Sequence, residues 1–316
     1  MKGQKEQPLL TLFTTPKPFD REHIALIQRN AIRSWLALGP EVEVLLIGDE
    51  KGVAEVAREF NIQHVPEVTR GVHGTPLIPS LFEQARRHGR APFFAYVNAD
   101  IVLTSSLLTA LRVVASQMPF FLLVGQRWDL DVREPLAFEQ GWEARLRAWV
   151  SREGVLHSRA GLDFFVFPRD LFVEIPPLVV GRAGWDNWMI YHAREQGWPV
   201  VDVSSEVLVV HQNHDYAHLQ IAAGERPYWH EGAQYNITIA GGLHRMYTLW
   251  EASHELCEER VRRRRASLGA LIHRVELALQ GRGFPHRGWR RIALRRLRRL
   301  RFALERWEAA RRRPPE

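Results

Sequence analysis

Cysteine is almost absent from this 316-residue chain, Cys257 being the only one. An intramolecular disulfide and any cysteine-rich zinc module are therefore excluded. Long apolar runs are missing too. No window approaches the roughly 18 uninterrupted apolar residues of a bilayer span. The N-terminal MKGQKEQPLLTLFTTPKPF holds no apolar stretch of signal-peptide length. A cytoplasmic protein is expected, with peripheral attachment to the inner face of a membrane as the variant. Neither GxGxxG after the first strand nor GxxxxGK[ST] occurs, which weighs against a dinucleotide-binding Rossmann site and removes the P-loop. Lysine supplies only 4 of the 43 basic residues, so the positive charge is almost wholly arginine. Genome composition or a hot habitat explains part of that excess.

What is present is ordinary globular composition, 46% hydrophobic and 25% charged. Collagen, coiled-coil fibre and whole-chain disorder are excluded. The charge is unevenly placed. Residues 258–316 hold 19 Arg against 6 Glu, or +13, so residues 1–257 carry −6 of the net +7. A basic end on a mildly acidic body points to an anionic partner for the tail.

The first half alternates strand and helix. Strands are expected at 9–14, 42–47, 62–65, 93–97 and 120–125, and helices at 21–38, 53–60, 77–88 and 105–116. A Gly-containing loop, 71–76, precedes the third helix, and its His73, Gly74 and Thr75 are candidates for a lid over a bound ligand, with an ordinary connecting loop as the alternative. This order implies an α/β fold with a parallel sheet and helices on both faces. In the second half, 138–151 and 185–195 read as helix, and 163–167, 200–203 and 207–211 as strand. Beyond 243 the pattern is helical almost to the end. Ala293, Leu297, Leu300, Leu304 and Trp307 recur every three or four residues among arginines, which marks a basic amphipathic helix.

Open parallel sheets bind ligands beyond the carboxyl ends of their strands. The polar residues there are Thr14-Thr15, Asp49-Glu50 and Asn98-Ala99-Asp100. A cleft with carboxylates in place of a glycine cradle suggests that a metal ion neutralises any phosphates. Asp100 can supply one ligand, and Asn98 can orient a water or bind ribose. A strand-end turn, with Thr104 near the cap of the next helix, fits the same three residues.

These segments resemble the GT-A glycosyltransferases, the nucleotide-diphospho-sugar transferase superfamily. Thr14-Thr15-Pro16 and Asp49 resemble the family's nucleoside-binding edge. FFAYVNADIVLT resembles a strand entering the DxD motif, with one carboxylate where the family has two. GRAGWDNWMIYHA resembles the acidic segment that opens the acceptor-side helix, and VLVVHQNHDYAH sets a histidine where the family often has a late metal ligand. The likeness covers roughly residues 8–220, one domain's length, and extends to a bacterial and plant group sharing HQNHDY. It implies a GT-A-like catalytic domain over 1–245 with a basic helical extension over 246–316. It also implies a nucleotide-diphosphate sugar as donor, a hydroxyl acceptor (glycan, lipid-linked or small molecule) and Mn²⁺ or Mg²⁺ held by Asp100 and His211.

Asp186 is the candidate base that takes the acceptor's proton, with Trp185 and Trp188 as apolar walls; in-line attack would then invert the anomeric centre. An Asp favoured by the helix dipole is the plain alternative. Asp163 is the rival base or a sugar-hydroxyl ligand. Arg127, in Gln126-Arg127-Trp128-Asp129, is a candidate for offsetting phosphate charge, and a surface ion pair is the alternative. His214 and His218 read as ordinary polar residues; Asp215 and Tyr216 are acceptor-side candidates. Two other functions stay open: a sugar-phosphate nucleotidyltransferase, and a non-catalytic binder of membrane or nucleic acid. The tail has three readings: an anionic membrane leaflet, packing on the body or in a homodimer, or nucleic acid, which the lack of aromatic interleaving disfavours.

Overall fold

The computed structural model describes residues 7–71, 74–214, 231–283, 285 and 287–315. The first half runs β1 (Leu10–Thr14), α1 (Glu22–Leu36), β2 (Val42–Ile47), α2 (Val53–Phe60), β3 (Gln63–Val65), α3 (Ile78–His88), β4 (Phe93–Val97), β5 (Ile101–Leu103), α4 (Ser106–Gln117) and β6 (Leu122–Val124). There follow β7 (Trp128–Leu130), α5 (Trp142–Glu153), β8 (Val155–Leu156), β9 (Phe164–Pro168), α6 (Trp185–Glu195), β10 (Val200–Asp202) and β11 (Val209–Gln212). The chain ends with α7 (Glu231–Ile239), β12 (His254–Cys257), β13 (Arg260–Arg263), α8 (Leu268–Gln280) and α9 (Trp289–Ala309).

A nine-stranded sheet takes the order β13-β12-β10-β6-β9-β4-β1-β2-β3. It is parallel except where β9 runs against β4 and β6, and β13 against β12. Its inner strands are buried on both faces, and strand alternation sorts their side chains into two layers. Phe13, Phe94, Tyr96, Phe165 and Phe167 meet α3 and α6 on one side. Leu12, Ala95, Val97, Phe164 and Val166 meet α1 and α4 on the other. This is the expected architecture: a mostly parallel sheet, helices on both faces and helices at the C-terminal end. α1 shows how local pattern becomes position. Ile24, Ile27, Ala31 and Trp35 recur at helical spacing and are buried. The Trp35 indole N–H then donates to the carbonyl of Ile101 at 2.9 Å, tying the helix to β5.

The segment beyond 243 departs from the expected run of helix. It opens with short 3-10 turns and then the β12–β13 hairpin. β12 pairs in parallel with β10, so the main sheet continues past the boundary expected at 245/246. The hairpin turn is made by Glu258 and Glu259, both left-handed with φ of 50° and 59°. Asn-Gly is the usual signal for such a turn; two glutamates give none. The last two helices pack together, and Arg301 donates twice to the buried Glu276 carboxylate, at 2.9 and 3.2 Å. No helix among the described residues is long and apolar enough to cross a membrane.

Candidate active site

Because β1, β2 and β4 are parallel, their carboxyl ends lie along one edge of the sheet. β9 runs the other way, so Asp163, just before it, returns to that edge, where its carbonyl accepts from the Asn98 N–H at 2.8 Å. A second sheet, β5-β11-β7-β8, stands beside this edge. Its register sets His211 of β11 opposite Ile101 of β5 and Asp129 of β7. Those two pairings bring a histidine from position 211 to the strand end at position 100. The walls enclose a cavity of about 700 Å³.

On one wall Asp100, His211 and His214 each offer a ligand atom, all within 4.8 Å of one another. The His214 Nε2 lies 3.0 Å from Asp100 Oδ2, and Lys17 Nζ lies 3.4 Å from the same nitrogen. Burial alone would raise the Asp100 carboxyl. The hydrogen bond to His214 and the fields of His211 and Lys17 outweigh it and hold the group well below the usual carboxylate range. Two buried atoms of the cluster make no hydrogen bond: Asp100 Oδ1 and His211 Nδ1. The latter sits 3.1 Å from Asp129 Oδ1, close enough for an ionic contact but off the hydrogen-bond direction. An orphaned carboxylate oxygen beside two imidazoles fits a divalent cation. The mixed oxygen and nitrogen set suits Mn²⁺ better than Mg²⁺, which prefers oxygen alone.

Behind this cluster runs a chain of paired charges. Asp129 accepts from the Arg127 Nε at 2.9 Å and lies 2.6 Å from His157 Nδ1. Arg127 also donates to Asp163, whose other oxygen accepts from the Asn98 amide at 2.7 Å. Burial would lower the Arg127 guanidinium, and the two carboxylates more than offset it and raise it. Arg127 is thus committed to Asp129 and Asp163. Asp163, taken up by Arg127 and Asn98, is placed to position neighbours more than to accept a proton.

Asp186 is of a different kind. Gly184, left-handed at φ 106°, turns the chain into α6, and its N–H donates to Asp186 Oδ1 at 3.1 Å. Among the described residues, the main influences on the Asp186 carboxyl include no cation. Burial, with Asp163 adding like charge, pushes it up to about 7 against backbone N–H groups that favour the ionised form. A carboxyl poised near neutrality in a cavity is the usual form of a general base. Trp185 lines the cavity and packs edge-on against Tyr96 at 4.9 Å. Trp188 does not reach the cavity; it lies in the core, stacked on His192.

At the ends of β1 and β2, where a nucleoside edge was expected, Asp49 and Glu50 face different ways. Asp49 is 66% exposed and pairs with Arg70 outside the cavity, whereas Glu50 lines it and receives Arg70 at 2.9 Å. Gly48, at φ 115°, turns the chain here, and a Cβ on it would stand 2.6 Å from Glu50 Oε2. Thr15 lines the cavity and Thr14 lies behind it. The side-chain oxygens of Thr14 and Thr15 and Glu50 Oε2 are buried without partners. Gly74 and Thr75 sit at the mouth. His73, Asp215, Tyr216 and His218 lie outside the described residues. His214, Lys17, Tyr96 and His157 also line the cavity, though the sequence had not assigned them to it. Their one available signal was position within a few residues of a strand end.

No protein-family model matches the chain, and no curated protein matches it. Solved structures resemble it at low identity. Residues 1–349 of S. aureus TarS, solved with UDP-GlcNAc, are 11% identical at a TM-score of 0.49, the match covering 86% of this chain and 72% of that one. Glucosyl-3-phosphoglycerate synthase from Mycobacterium tuberculosis, with Mn²⁺, UDP and phosphoglyceric acid, is 13% identical at 0.44, covering 74% and 79%. The mannosyltransferase PcManGT from Pyrobaculum calidifontis, with GDP-Man and Mn²⁺, is 13% identical at 0.42, covering 74% and 73%. Likeness of this degree carries no information on substrate or mechanism, and the chemistry has to come from the cavity.

Proposed function

We propose that the protein transfers a sugar from a nucleoside diphosphate donor to a hydroxyl acceptor. One observation carries the reading: a single cavity joins the orphaned Asp100 carboxylate and its two imidazoles to the neutral-poised Asp186. A leaving diphosphate gathers negative charge, and an attacking hydroxyl must shed a proton; the two walls answer those two needs. A divalent cation held by Asp100, His211 and His214 would stabilise the leaving group's charge. Lys17 adds a positive charge beside it. Asp186 takes the acceptor's proton at neutral pH, and attack from its side, opposite the leaving group, inverts the anomeric centre. Tyr96 and Trp185 give Asp186 an apolar surround that keeps water from it. The unpartnered oxygens of Thr15 and Glu50 face the nucleoside.

The test is a panel of sugar nucleotides incubated with Mn²⁺ and a set of simple glycoside and alcohol acceptors, with nucleoside diphosphate release and protein stability both measured. A cognate donor at a hundred times its Kd adds about 2.7 kcal/mol of stability. The expected result is nucleoside diphosphate release by the wild type, absent in Asp100→Ala and Asp186→Asn. Pyrophosphate release from a nucleoside triphosphate would establish the nucleotidyltransferase instead. Stabilisation by no nucleotide at all would leave the protein a non-catalytic binder.

A further inference from the structure

Helix α9 turns its ion-paired residues inward and leaves most of its arginines outside. The residues it buries are Leu294, Arg301 and Glu305. Arg301 is held by Glu276, Glu305 accepts from the Arg159 backbone N–H at 2.6 Å, and Glu308 pairs with the Arg159 guanidinium at 3.1 Å. Of the expected apolar stripe, Ala293, Leu297 and Leu304 are half-buried, while Leu300 and Trp307 stay outside with Trp289 and Ile292. Trp289 is 68% and Trp307 58% exposed, and Ile292 and Leu300 are exposed between them on the same side of the helix. Arg290 lies over the Trp289 ring and Arg311 over the Trp307 ring, at 5.8 and 3.5 Å. Arg295, Arg296, Arg299 and Arg306 are exposed within or beside this stripe. Both carboxylates of the helix, Glu305 and Glu308, are engaged on the inner side.

We infer that this outer face of α9 docks in the plane of an anionic lipid bilayer. The stripe is long enough to bury two tryptophans, an isoleucine and a leucine at the headgroup boundary, with guanidiniums reaching lipid phosphates around them. Charge complementarity separates this occupant from the others. A second copy joined through the same face would set arginine against arginine, with no exposed carboxylate on the helix to answer them. A nucleic acid would satisfy the arginines and leave the tryptophans bare. The consequence reaches the cavity. Arg299, Phe302 and Arg306 share a groove of about 470 Å³ with Leu156, His157 and Ser158, and His157 and Ser158 also line the main cavity. The bilayer-facing helix therefore borders the cavity that holds Asp186.

The test is flotation of the full chain with phosphatidylcholine vesicles, with and without phosphatidylglycerol, at low and high salt. Binding to the anionic vesicles only, weakened by salt, is expected. Trp289→Ser with Trp307→Ser, at exposed positions that leave the fold intact, should weaken it at least about tenfold. Arg295→Gln, Arg296→Gln and Arg299→Gln together should weaken it on the order of a hundredfold. Equal binding to neutral vesicles, no binding to either, or full binding by the tryptophan variant overturns the proposal. So does a doubled mass in lipid-free solution that the tryptophan variant abolishes, which would make the face a dimer contact. Flotation reads lipid binding without turnover, so failure of the proposed transfer reaction would leave this result standing.

Discussion

Replacing Asp186 by asparagine should make the folded protein more stable at pH 8 while destroying transfer. The side chain ionises near 3.8 when exposed and at about 7 in the folded site. A carboxyl raised on folding holds its proton more tightly in the folded state. The wild type therefore loses stability as pH climbs from about 3.8 to about 7 and levels off above. At 1.36 kcal/mol per pKa unit, the full loss is about 4 kcal/mol, of which roughly 1.5 is already present at pH 5. Asparagine still accepts the Gly184 N–H through its oxygen, and it carries no charge. Burying its amide N–H₂ costs about 1–3 kcal/mol at every pH. The pH dependence of the difference is thus the diagnostic quantity. Urea unfolding of cation-free wild type and variant should show the variant's advantage growing by roughly 2.5 kcal/mol between pH 5 and pH 8. Transfer should fall by a hundredfold to ten-thousandfold, the usual order for a general base, with nucleotide binding kept. An advantage that stays flat or shrinks with pH would refute the reasoning, because the carboxyl would then be ordinary and a poor base.

Three further outcomes follow. Arg301→Ala should cost roughly 3 kcal/mol in urea unfolding, since it strips a buried carboxylate, Glu276, of its bidentate partner. Arg301→Leu with Glu276→Leu should recover most of that loss, and a loss under about 1 kcal/mol in the single variant would show the pair to be solvated. Glu258→Asn with Glu259→Gly should stabilise the protein by about 0.5–1 kcal/mol, because both positions are left-handed; an unchanged midpoint would mean the turn is not of that type. Transfer should decline as pH falls through an apparent pKa near 7, to about a tenth of its plateau at pH 6, and a rate flat down to pH 5 would assign the proton to another group.

Much of the fold could be read from the sequence, for a physical reason. Strands covered on both faces must be continuously apolar, and amphipathic helices must repeat near every 3.6 residues. FFAYV ending in Asn98-Ala99-Asp100 and the Gly184-to-Asp186 turn into α6 therefore stood out. What stayed hidden depends on pairing between distant segments. β5, β7 and β8 have two or three residues each and no periodicity to detect, yet the register of β5 and β7 with β11 puts His211 opposite Asp129 and opposite Ile101, the residue next to Asp100. His214 follows a strand end by two residues, and only the path of the loop aims it at Asp100. Asp49 and Glu50 are neighbours of like chemistry, and the left-handed Gly48 decides which faces the cavity. The tail's amphipathic pattern was plain, but which face it buries was settled by Glu276 and Arg159, far away in sequence.

The central claim is that Asp100 and its two histidines hold a cation for a diphosphate. Electron paramagnetic resonance of Mn²⁺ titrated into the protein, with and without UDP and GDP, tests it most directly. Loss of the free-ion signal is expected in the wild type, strengthened by one of the nucleotides, with a free-ion signal that persists in Asp100→Ala and in His211→Ala. Bound Mn²⁺ in Asp100→Ala equal to that in the wild type would contradict it.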